Sequence, residues 1–265
     1  MIDTIRQLFR TRRAQHIPAI PAGERVYAIG DIHGRLDLIT AIAEAIEEDD
    51  RSRGPAKTKI VLLGDLIDRG PDSAAVLHWA RDWQERRNVR ILAGNHEEMF
   101  LQSFAKSESL RHFLRFGGYE TVLSYPVDRR ALLNADLEAA QQLMREAVPE
   151  TELEFIRSFE NLVVIGDYLF VHAGIKPGAP LDEQRTSDLR WIREPFLSHG
   201  GDHGYIVVHG HSISEKPDFR SNRIGIDTGA FMSGRLTALG LEGTERWLIE
   251  TNDHKGVISV ATRPA

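Results

Sequence analysis

Three short, mostly apolar runs in the first hundred residues each end close to a glycine, and each is followed by polar residues and then a helical pattern. The runs cover residues 26–29, 60–63 and 89–92, and the helical patterns cover residues 36–48, 73–87 and those from about 97 onward. Parallel strands joined by helical crossovers present their carboxyl ends at one edge of a sheet, so the polar residues after each run should lie close together. These patterns predict an α/β fold with a ligand site at that edge.

The rest of the chain divides into a helical stretch and a strand-rich second half. Residues 97–160 have helical patterns interrupted by glycines 117–118 and by Pro126, which predicts a helical insertion at about residues 103–160. Apolar runs separated by turn residues then predict short strands at residues 162–165, 168–171, 205–208, 223–226, 236–239 and 247–250. We expect the long connection over residues 174–204 to frame a site.

The length of the chain predicts one domain. Its 265 residues suit a single α/β domain over residues 25–265, preceded by an N-terminal basic arm at residues 1–24. Arginines in this arm alternate with apolar residues at helical spacing. We expect a short solvated helix or a frayed end there, with attachment to an anionic surface as the alternative.

The charge balance and the lack of cysteine exclude several classes of protein. Lys and Arg number 33 against 39 Asp and Glu, and this net charge of −6 argues against a general nucleic-acid binder. With no cysteine in the chain, disulfides, thiolate catalysis, zinc fingers and iron–sulfur clusters are excluded, and a bound metal would have N and O ligands. No stretch reaches the roughly 18 consecutive apolar residues of a membrane span, and the N-terminus lacks the apolar core of a signal peptide. We therefore expect a cytoplasmic protein.

The polar residues at the predicted strand ends are of the kinds that bind divalent metal ions. Carboxylate, imidazole and amide oxygen suit Mn²⁺, Fe or Zn²⁺, and one carboxylate can bridge two cations. Asp65, from the middle strand, is placed to be that bridge, and His172 and His211 after later strands can complete the shell of a second metal. The candidates at the first three strand ends are Asp31, His33, Asp65, Asp68, Arg69, Asn95 and His96.

Each candidate also has a simpler structural interpretation. Asp31 and His33 could cap the next helix, Arg69 could form a structural ion pair, and His96 could be a packing residue. Three polar clusters at intervals of about 30 residues, the length of a βαβ unit, favour the metal site over these alternatives. His209 belongs to no motif, and we expect it to have a structural role.

Short motifs occur at these strand ends in a fixed order. Residues 30–34 read Gly-Asp-Ile-His-Gly, residues 64–70 read Gly-Asp-Leu-Ile-Asp-Arg-Gly, and residues 94–97 read Gly-Asn-His-Glu. Residues 172–174 read His-Ala-Gly, residues 210–212 read Gly-His-Ser, and residues 225–230 read Gly-Ile-Asp-Thr-Gly-Ala. This series resembles the motifs of the PPP-type serine/threonine protein phosphatases, in particular the bacterial and phage members, within the calcineurin-like metallophosphoesterase superfamily. The resemblance implies two mixed β-sheets sandwiched between helices (α/β/β/α), with a helical insertion.

The resemblance also implies a role for each matching residue. One metal ion would be held by Asp31, His33 and Asp65, and a second by Asp65, Asn95, His172 and His211. His96 would act as the general acid toward the leaving group, oriented by Asp68. The phosphate oxygens would be bound by Arg69, Arg193 and Asn95.

The function implied by this resemblance is hydrolysis of phosphate monoesters by a hydroxide that bridges two divalent ions, with Mn²⁺ expected before Fe or Zn²⁺. Phosphoserine and phosphothreonine in proteins are the first expected substrates. Ala93 stands where the family commonly has arginine, and together with the helical insertion it supports dinucleoside polyphosphates or other small phosphoesters as the alternative. A non-catalytic binding module is a further alternative, which the complete set of ligands and His96 disfavours. No G-x-S-x-G elbow or P-loop is present.

Overall fold

The computed structural model describes residues 17–265, so residues 1–16 of the predicted basic arm lie outside the described part. The segment from residue 17 runs along the body of the protein, where the buried Ile20 donates its N–H to the carbonyl of Gly243 at 2.8 Å. The last residue of the predicted arm, Glu24, begins the first strand.

The first sheet contains the three N-terminal apolar runs as parallel strands. They are β1 (Glu24–Ile29), β2 (Lys57–Leu62) and β3 (Val89–Ile91), and Ala28 of β1 lies opposite Val61 of β2. Three antiparallel strands from the end of the chain extend the sheet beside β1, namely β9 (Thr237–Glu242), β10 (Glu245–His254) and β11 (Val257–Pro264). The strand order is β11-β10-β9-β1-β2-β3.

The second sheet is built from the short strands of the second half. They are β4 (Leu162–Ile165), β5 (Tyr168–Val171), β6 (Ile206–His209), β7 (Asp218–Phe219) and β8 (Arg223–Gly225), in the order β4-β5-β6-β8-β7. The three central strands β5, β6 and β8 are parallel, and the two edge strands are antiparallel to their neighbours. Both sheets are therefore mixed, as predicted.

The two sheets pack face to face because side chains alternate along each buried strand. In β1, Val26 and Ala28 point into an apolar layer that also contains Phe170 and Val208 of the second sheet. Their neighbours Tyr27 and Ile29 point the other way, into the core beneath the helices. Both faces of β1 are buried from Arg25 onward, which explains why residues 26–29 are all apolar.

Helices cover the outer face of the first sheet. Helix α1 (Leu36–Ser52) buries Ile39, Ile42 and Ile46 on one face, and α2 (Ser73–Arg86) packs beside it. Within residues 17–265, no helix combines the length and the apolar character needed to cross a membrane.

A run of further helices follows β3. They are α3 (Asn95–Ser103), α4 (Ser107–Phe113), a π-helical turn (Leu114–Gly118), α5 (Tyr119–Ser124), α6 (Arg129–Asn134), α7 (Leu137–Ala147) and α8 (Glu150–Arg157). The π-helical turn contains a kink at Phe116 and Gly117, where Gly117 has φ of 105°. A positive φ is readily adopted by glycine, so the glycine predicted to interrupt the helix lies at the point where the chain bends.

The outer face of the second sheet is covered by the long connection between β5 and β6. This connection contains a 3₁₀ turn (Leu181–Glu183) and the short helix α9 (Thr186–Trp191), and its Leu189 and Phe196 pack on Leu169 and Val171. A short helix α10 (Ala230–Ser233) follows β8. The layers are α/β/β/α, so the predicted fold is confirmed.

The last strand, β11, was not predicted from the sequence. It forms the edge of the first sheet and is largely exposed, and its apolar residues at positions 257–258 and 260–261 do not alternate with polar ones as in a half-buried strand. Lys255 and Gly256 both have positive φ (55° and 84°) in the tight turn that joins it to β10. The turn residues and the long partner strand determine this hairpin, and neither gives a strong local signal.

Candidate metal centre

The predicted site residues meet in one cavity of about 350 Å³ at the carboxyl ends of the parallel strands of both sheets. His172 lies against this cavity, since its Nε2 is 3.0 Å from Oδ1 of Asn95. Asp68 lies beneath it, fully buried against His96. The predicted residues that line the cavity are Asp31, His33, Asp65, Arg69, Asn95, His96, Arg193 and His211.

The backbone of the site is strained. Six non-glycine residues in the described part have positive φ, and all except Lys255 are predicted site residues. Such conformations cost about 1–3 kcal/mol each and persist where the surrounding structure over-determines them, typically at functional sites. The five are His33 (49°), Asp65 (51°), Asp68 (73°), Arg69 (71°) and His211 (60°).

Two glycines allow the buried carboxylates to lie against backbone. A Cβ on Gly94 would lie 2.1 Å from Oδ1 of Asp65, and a Cβ on Gly210 would lie 2.0 Å from Oδ1 of Asp31. Neither distance is possible between real atoms. The glycines in these motifs therefore provide the space in which the two carboxylates sit.

Asp65 is shared between two clusters of candidate ligands. Its Oδ2 is 3.7 Å from Nε2 of His33, and its Oδ1 is 3.4 Å from Nε2 of His172. The two groups of potential metal-binding side chains are His33, Asp65 and His96, and Asp65, His172 and His211. Asp31 lines the same cavity but belongs to neither group.

The hydrogen bonds of two histidines fix which ring nitrogen carries the proton. Nδ1 of His33 contacts the carbonyl of Ile67 at 2.8 Å, and Nδ1 of His172 contacts the carbonyl of Leu63 at 2.8 Å. A carbonyl can only accept, so each Nδ1 donates and each Nε2 presents a lone pair to the cavity. Carbonyl partners on the second nitrogen are typical of metal-binding histidines.

The lone pairs that converge on Asp65 have no proton between them. Nε2 of His172, Oδ1 of Asp65 and Oδ1 of Asn95 are all hydrogen-bond acceptors. The Asn95 oxygen is 3.0 Å and the Asp65 oxygen is 3.4 Å from the histidine nitrogen. Burial lowers the pKa of His33 to about 3 and also lowers the pKa of His172, so both rings are neutral at pH 7. Acceptors held together in this way fit a divalent cation, which would supply the missing positive charge.

The charges around Asp65 and Asp31 differ. Burial opposes ionisation of Asp65, but the four surrounding histidines lower the pKa of its carboxyl below the usual range. Burial, together with the charges of Asp227 and Asp65, raises the pKa of Asp31 well above its usual value. The N–H of His211 donates to both oxygens of Asp31, at 3.2 and 3.1 Å.

His96 is held by two groups, one at each ring nitrogen. Its Nδ1 is 2.5 Å from Oδ2 of the buried Asp68, and its Nε2 is 3.0 Å from Nη2 of Arg69. The carboxylate accepts the Nδ1 proton and the guanidinium donates to Nε2, so Nε2 carries a lone pair here and is the ring nitrogen that can exchange a proton in the cavity. Burial lowers the pKa of His96, but the charge of Asp65 and the Asp68 hydrogen bond outweigh it and raise the pKa overall.

The two predicted phosphate-binding arginines differ in how firmly they are held. Arg69 donates its backbone N–H to the carbonyl of Gly117 at 3.0 Å, and its guanidinium lies 4.7 Å from the ring centre of Phe231. Arg193 lines the cavity with an exposed side chain, and its guanidinium has no carboxylate partner within residues 17–265. Both guanidinium groups border the space above the candidate metal ligands.

Glu97 contributes to the site in a way that the sequence did not reveal. Its position in the first turn of α3 favours a negative charge there. Its buried carboxylate accepts backbone N–H bonds from Asp65 (2.9 Å), Leu66 (2.8 Å) and Gly94 (2.8 Å). Burial and the nearby charge of Asp65 raise the pKa of Glu97 to about 7. This side chain joins the loop after β2 to the loop after β3.

Thr121 and Ser73 were likewise not predicted to act at the site, whereas Asp227 belongs to a motif that the resemblance placed near it. Thr121, from α5, donates to Oδ1 of Asp68 at 2.6 Å, and Ser73 accepts the backbone N–H of Asp68 at 3.0 Å. Asp227 is a buried carboxylate beside Asp31, in the motif at residues 225–230. Nothing in the local sequence around Thr121 or Ser73 distinguishes them from ordinary helix residues.

His209 is not among the residues that line the cavity. It is buried, its ring packs 5.1 Å from that of Phe196, and its Nε2 is 3.4 Å from Nη1 of Arg223. These contacts support the structural role expected for it.

An α/β/β/α sandwich whose strand ends bring carboxylates, histidines and arginines into one cavity defines a metallophosphoesterase. The family model for calcineurin-like phosphoesterases matches residues 24–259. The chain belongs to that family.

Named relatives cover most of the chain. A bis(5'-nucleosyl)-tetraphosphatase PrpE [asymmetrical] of Anoxybacillus flavithermus is 25% identical over 80% of this chain and 88% of its own length. Serine/threonine-protein phosphatase 1 of Salmonella typhimurium is 28% identical over 80% of this chain and 89% of its own. The crystal structure of a cold-active protein-tyrosine phosphatase of Shewanella sp. has the same fold, with a TM-score of 0.54 and 20% identity over 92% of this chain and 83% of that one.

Proposed function

We propose that this protein is a hydrolase of phosphoesters that uses two divalent metal ions bound on either side of Asp65. Asp31, His33 and Asp65 would hold one ion, and Asp65, Asn95, His172 and His211 the other. When bound, such a pair supplies a hydroxide nucleophile near neutral pH and neutralises charge on the phosphate. Mn²⁺ is the first ion to test, before Fe or Zn²⁺, because the ligands are all nitrogen and oxygen.

The observation that carries this proposal is the position of the Asp65 carboxylate. Its two oxygens face different histidines, His33 at 3.7 Å and His172 at 3.4 Å, and both histidines present lone pairs toward it. A structural ion pair would place a donor there instead. A shared carboxylate between two sets of acceptors supports a two-ion site.

The remaining side chains would act on the phosphate and the leaving group. The guanidinium groups of Arg69 and Arg193 are suited to bind phosphate oxygens because their planar forks match that geometry. His96 would deliver a proton from Nε2 to the leaving oxygen, since its Nδ1 is already held by Asp68. No covalent intermediate with the protein is needed.

Two substrate classes fit this chemistry. Phosphoserine and phosphothreonine in proteins are supported by the similarity to serine/threonine-protein phosphatase 1 of Salmonella typhimurium. Dinucleoside polyphosphates are at least as well supported, by the similarity to the bis(5'-nucleosyl)-tetraphosphatase of Anoxybacillus flavithermus. Ala93 is buried next to Asn95, at the position where the protein phosphatases commonly have arginine. This chain therefore has one positive charge fewer than they do for binding a phosphoprotein.

The experiment is a metal-reconstitution screen. Metal-free protein would be titrated with Mn²⁺, the bound ions counted, and turnover measured on p-nitrophenyl phosphate, a phosphoserine peptide and diadenosine tetraphosphate. We expect two ions per chain and metal-dependent turnover, and a loss of at least about 100-fold at limiting Mn²⁺ in Asn95→Ala. Asn134→Ala, at an exposed asparagine of α6, is the control. One bound ion, or no metal-dependent turnover on any of these substrates, would contradict the proposal.

A further inference from the structure

The lining of the active-site cavity includes aromatic side chains that the phosphate chemistry does not use, here called the aromatic wall. Beside the polar floor, the cavity is lined by Met99, His112, Phe116 and Trp191. The rings of His112 and Phe116 lie against each other, with centres 4.5 Å apart. Phe116 is 45% exposed and Trp191 is 38% exposed, so both present ring surface to the solvent-filled space.

Each exposed ring lies next to a phosphate-binding candidate. Phe116 is adjacent to Gly117, whose carbonyl accepts the N–H of Arg69 at 3.0 Å. Trp191 ends α9, two residues before Arg193, and its ring centre is 6.4 Å from that of His211. The rings come from the helical run after β3 and from the long connection after β5, which are separate segments outside the two sheets.

An exposed ring beside a phosphate site has a direct chemical use. Flat ligands stack on aromatic faces, and base–aromatic stacking tolerates any nucleobase because every base has a π-face. A phosphoserine side chain would leave this wall without a partner. Arg69 and Arg193 line the cavity itself. Arg115 is not part of the lining, but it lies on the same turn as Phe116, with its guanidinium 6.0 Å from the Phe116 ring centre. Several arginines suit a polyphosphate chain better than a single phosphate group.

We propose that Phe116, His112 and Trp191 form a stacking wall for a nucleobase, and that the substrate is a nucleoside polyphosphate whose phosphates lie on the metal-binding floor. This inference rests on the proposed phosphoesterase function and names its substrate class. The wall acts on binding rather than on the chemical step, because none of its rings contacts the predicted general acid or bridging carboxylate.

The test compares substrates with and without a base in wall variants of the Mn²⁺-loaded protein. The variants are Phe116→Ala, Trp191→Ala and the ring-retaining Trp191→Phe, with Phe219→Ala as the control at a partly exposed ring on β7. The substrates are diadenosine tetraphosphate, inorganic tripolyphosphate and a phosphotyrosine peptide. We expect each alanine variant to raise KM for diadenosine tetraphosphate about tenfold with kcat within about twofold, and Trp191→Phe to retain most of the affinity.

Tripolyphosphate distinguishes a lost stacking contact from a damaged site. It carries no ring, so its kinetics should stay within about twofold in every wall variant if stacking is the lost interaction. Equal losses on both polyphosphates, or no change on diadenosine tetraphosphate, would overturn the stacking wall while the phosphoesterase function stands. A loss confined to the phosphotyrosine peptide would assign the wall to a phenol ring and overturn the nucleobase. Absence of metal-dependent turnover in the unmodified protein would instead contradict the function itself.

Discussion

The hydroxyl of Thr121 donates a 2.6 Å hydrogen bond to Oδ1 of Asp68, whose other oxygen holds Nδ1 of His96 at 2.5 Å. Thr121 and Asp68 are 53 residues apart, and both are fully buried. The helical run after β3 therefore supports the carboxylate that orients the predicted general acid. Its helices have a positioning role at the site in addition to covering the sheet.

Thr121→Val should weaken general-acid catalysis without removing a catalytic group. The substitution keeps the volume but leaves Oδ1 of Asp68 without its donor. We expect turnover of a phosphoserine peptide, which has a poor leaving group, to fall about tenfold more than turnover of p-nitrophenyl phosphate. Thr121→Ser should restore the rate because it restores the hydroxyl. Equal losses on both substrates in Thr121→Val would indicate a purely structural role.

His96→Ala should have a larger effect of the same kind. General-acid catalysis contributes typically about 10²–10⁴-fold, and a good leaving group needs it least. We expect a loss in that range on phosphoserine and a clearly smaller loss on p-nitrophenyl phosphate. Initial rates on the two substrates at saturating Mn²⁺ test this. His78→Ala, at an exposed histidine of α2, serves as the control. The same loss on both substrates would refute the acid role.

Glu97→Gln should destabilise the fold and loosen the metal site together. The carboxylate accepts three backbone N–H bonds, and an amide can present only one oxygen while its NH₂ faces another donor. We expect a loss of ~2–3 kcal/mol in the free energy of unfolding, measured by urea denaturation of metal-free protein. Glu98→Gln changes the neighbouring residue, which pairs with Arg190 near the surface, and should cost under ~1 kcal/mol. Similar stabilities for the two variants would show that the Glu97 hydrogen bonds contribute little.

Gly94→Ala should prevent Asp65 from occupying its observed position. The added Cβ would fall 2.1 Å from Oδ1 of Asp65 although the backbone of Gly94, with φ of −88°, accommodates alanine. We therefore expect the stoichiometry of bound Mn²⁺ to fall below that of the unmodified protein, measured by equilibrium dialysis. Gly200→Ala places a methyl group in open space and is the control. Unchanged metal binding in Gly94→Ala would mean that Asp65 is not the shared ligand.

Arg25 anchors the start of β1 to α1 and β9, and its loss should destabilise the protein. Its buried guanidinium pairs with Asp50 at 2.6 Å and with Glu242 at 2.9 Å. Because both carboxylates reach solvent, we expect Arg25→Ala to cost ~2–3 kcal/mol, below the full penalty for an unpaired buried charge. Arg263→Ala removes an exposed pair with Glu250 and should cost ~0–1 kcal/mol. Equal costs for the two variants would contradict this assignment.

The contribution of Arg25 should also depend on pH. Burial opposes ionisation of Asp50, but its hydrogen bonds with Thr58, Arg87 and Arg25 lower the pKa of its carboxyl below the ordinary value. A lowered pKa stabilises the folded state above the unfolded pKa of about 3.9, and this stabilisation is lost as pH falls through the folded value. The stability difference between the unmodified protein and Arg25→Ala should therefore shrink below about pH 4. Urea denaturation at several pH values measures it, and a difference that grows on acidification would contradict the sign.

Sequence alone determined the residue types at each strand end and the order along the chain of the strands that carry them. Asp31, Asp65 and Asn95 follow buried apolar runs, and helical crossovers force those runs to be parallel, so their convergence follows from local pattern and chirality. The two mixed sheets, which only the resemblance to a known family implied, were confirmed as well. The predicted roles of the individual site residues stay predictions for the experiments above.

Only the tertiary structure decided which residues support that site. Glu97 accepts the backbone N–H groups of Asp65 and Leu66, which are more than thirty positions away in the sequence. Thr121 binds Asp68 across 53 positions. A buried carboxylate or hydroxyl acquires such partners from the packing of whole segments, and nothing in its neighbouring sequence encodes them. The same holds for the aromatic wall, because Phe116 and Trp191 belong to separate segments that line one cavity only when the chain is folded. Strand pattern is a property of neighbouring residues, whereas the support and shape of a site depend on contacts between distant ones.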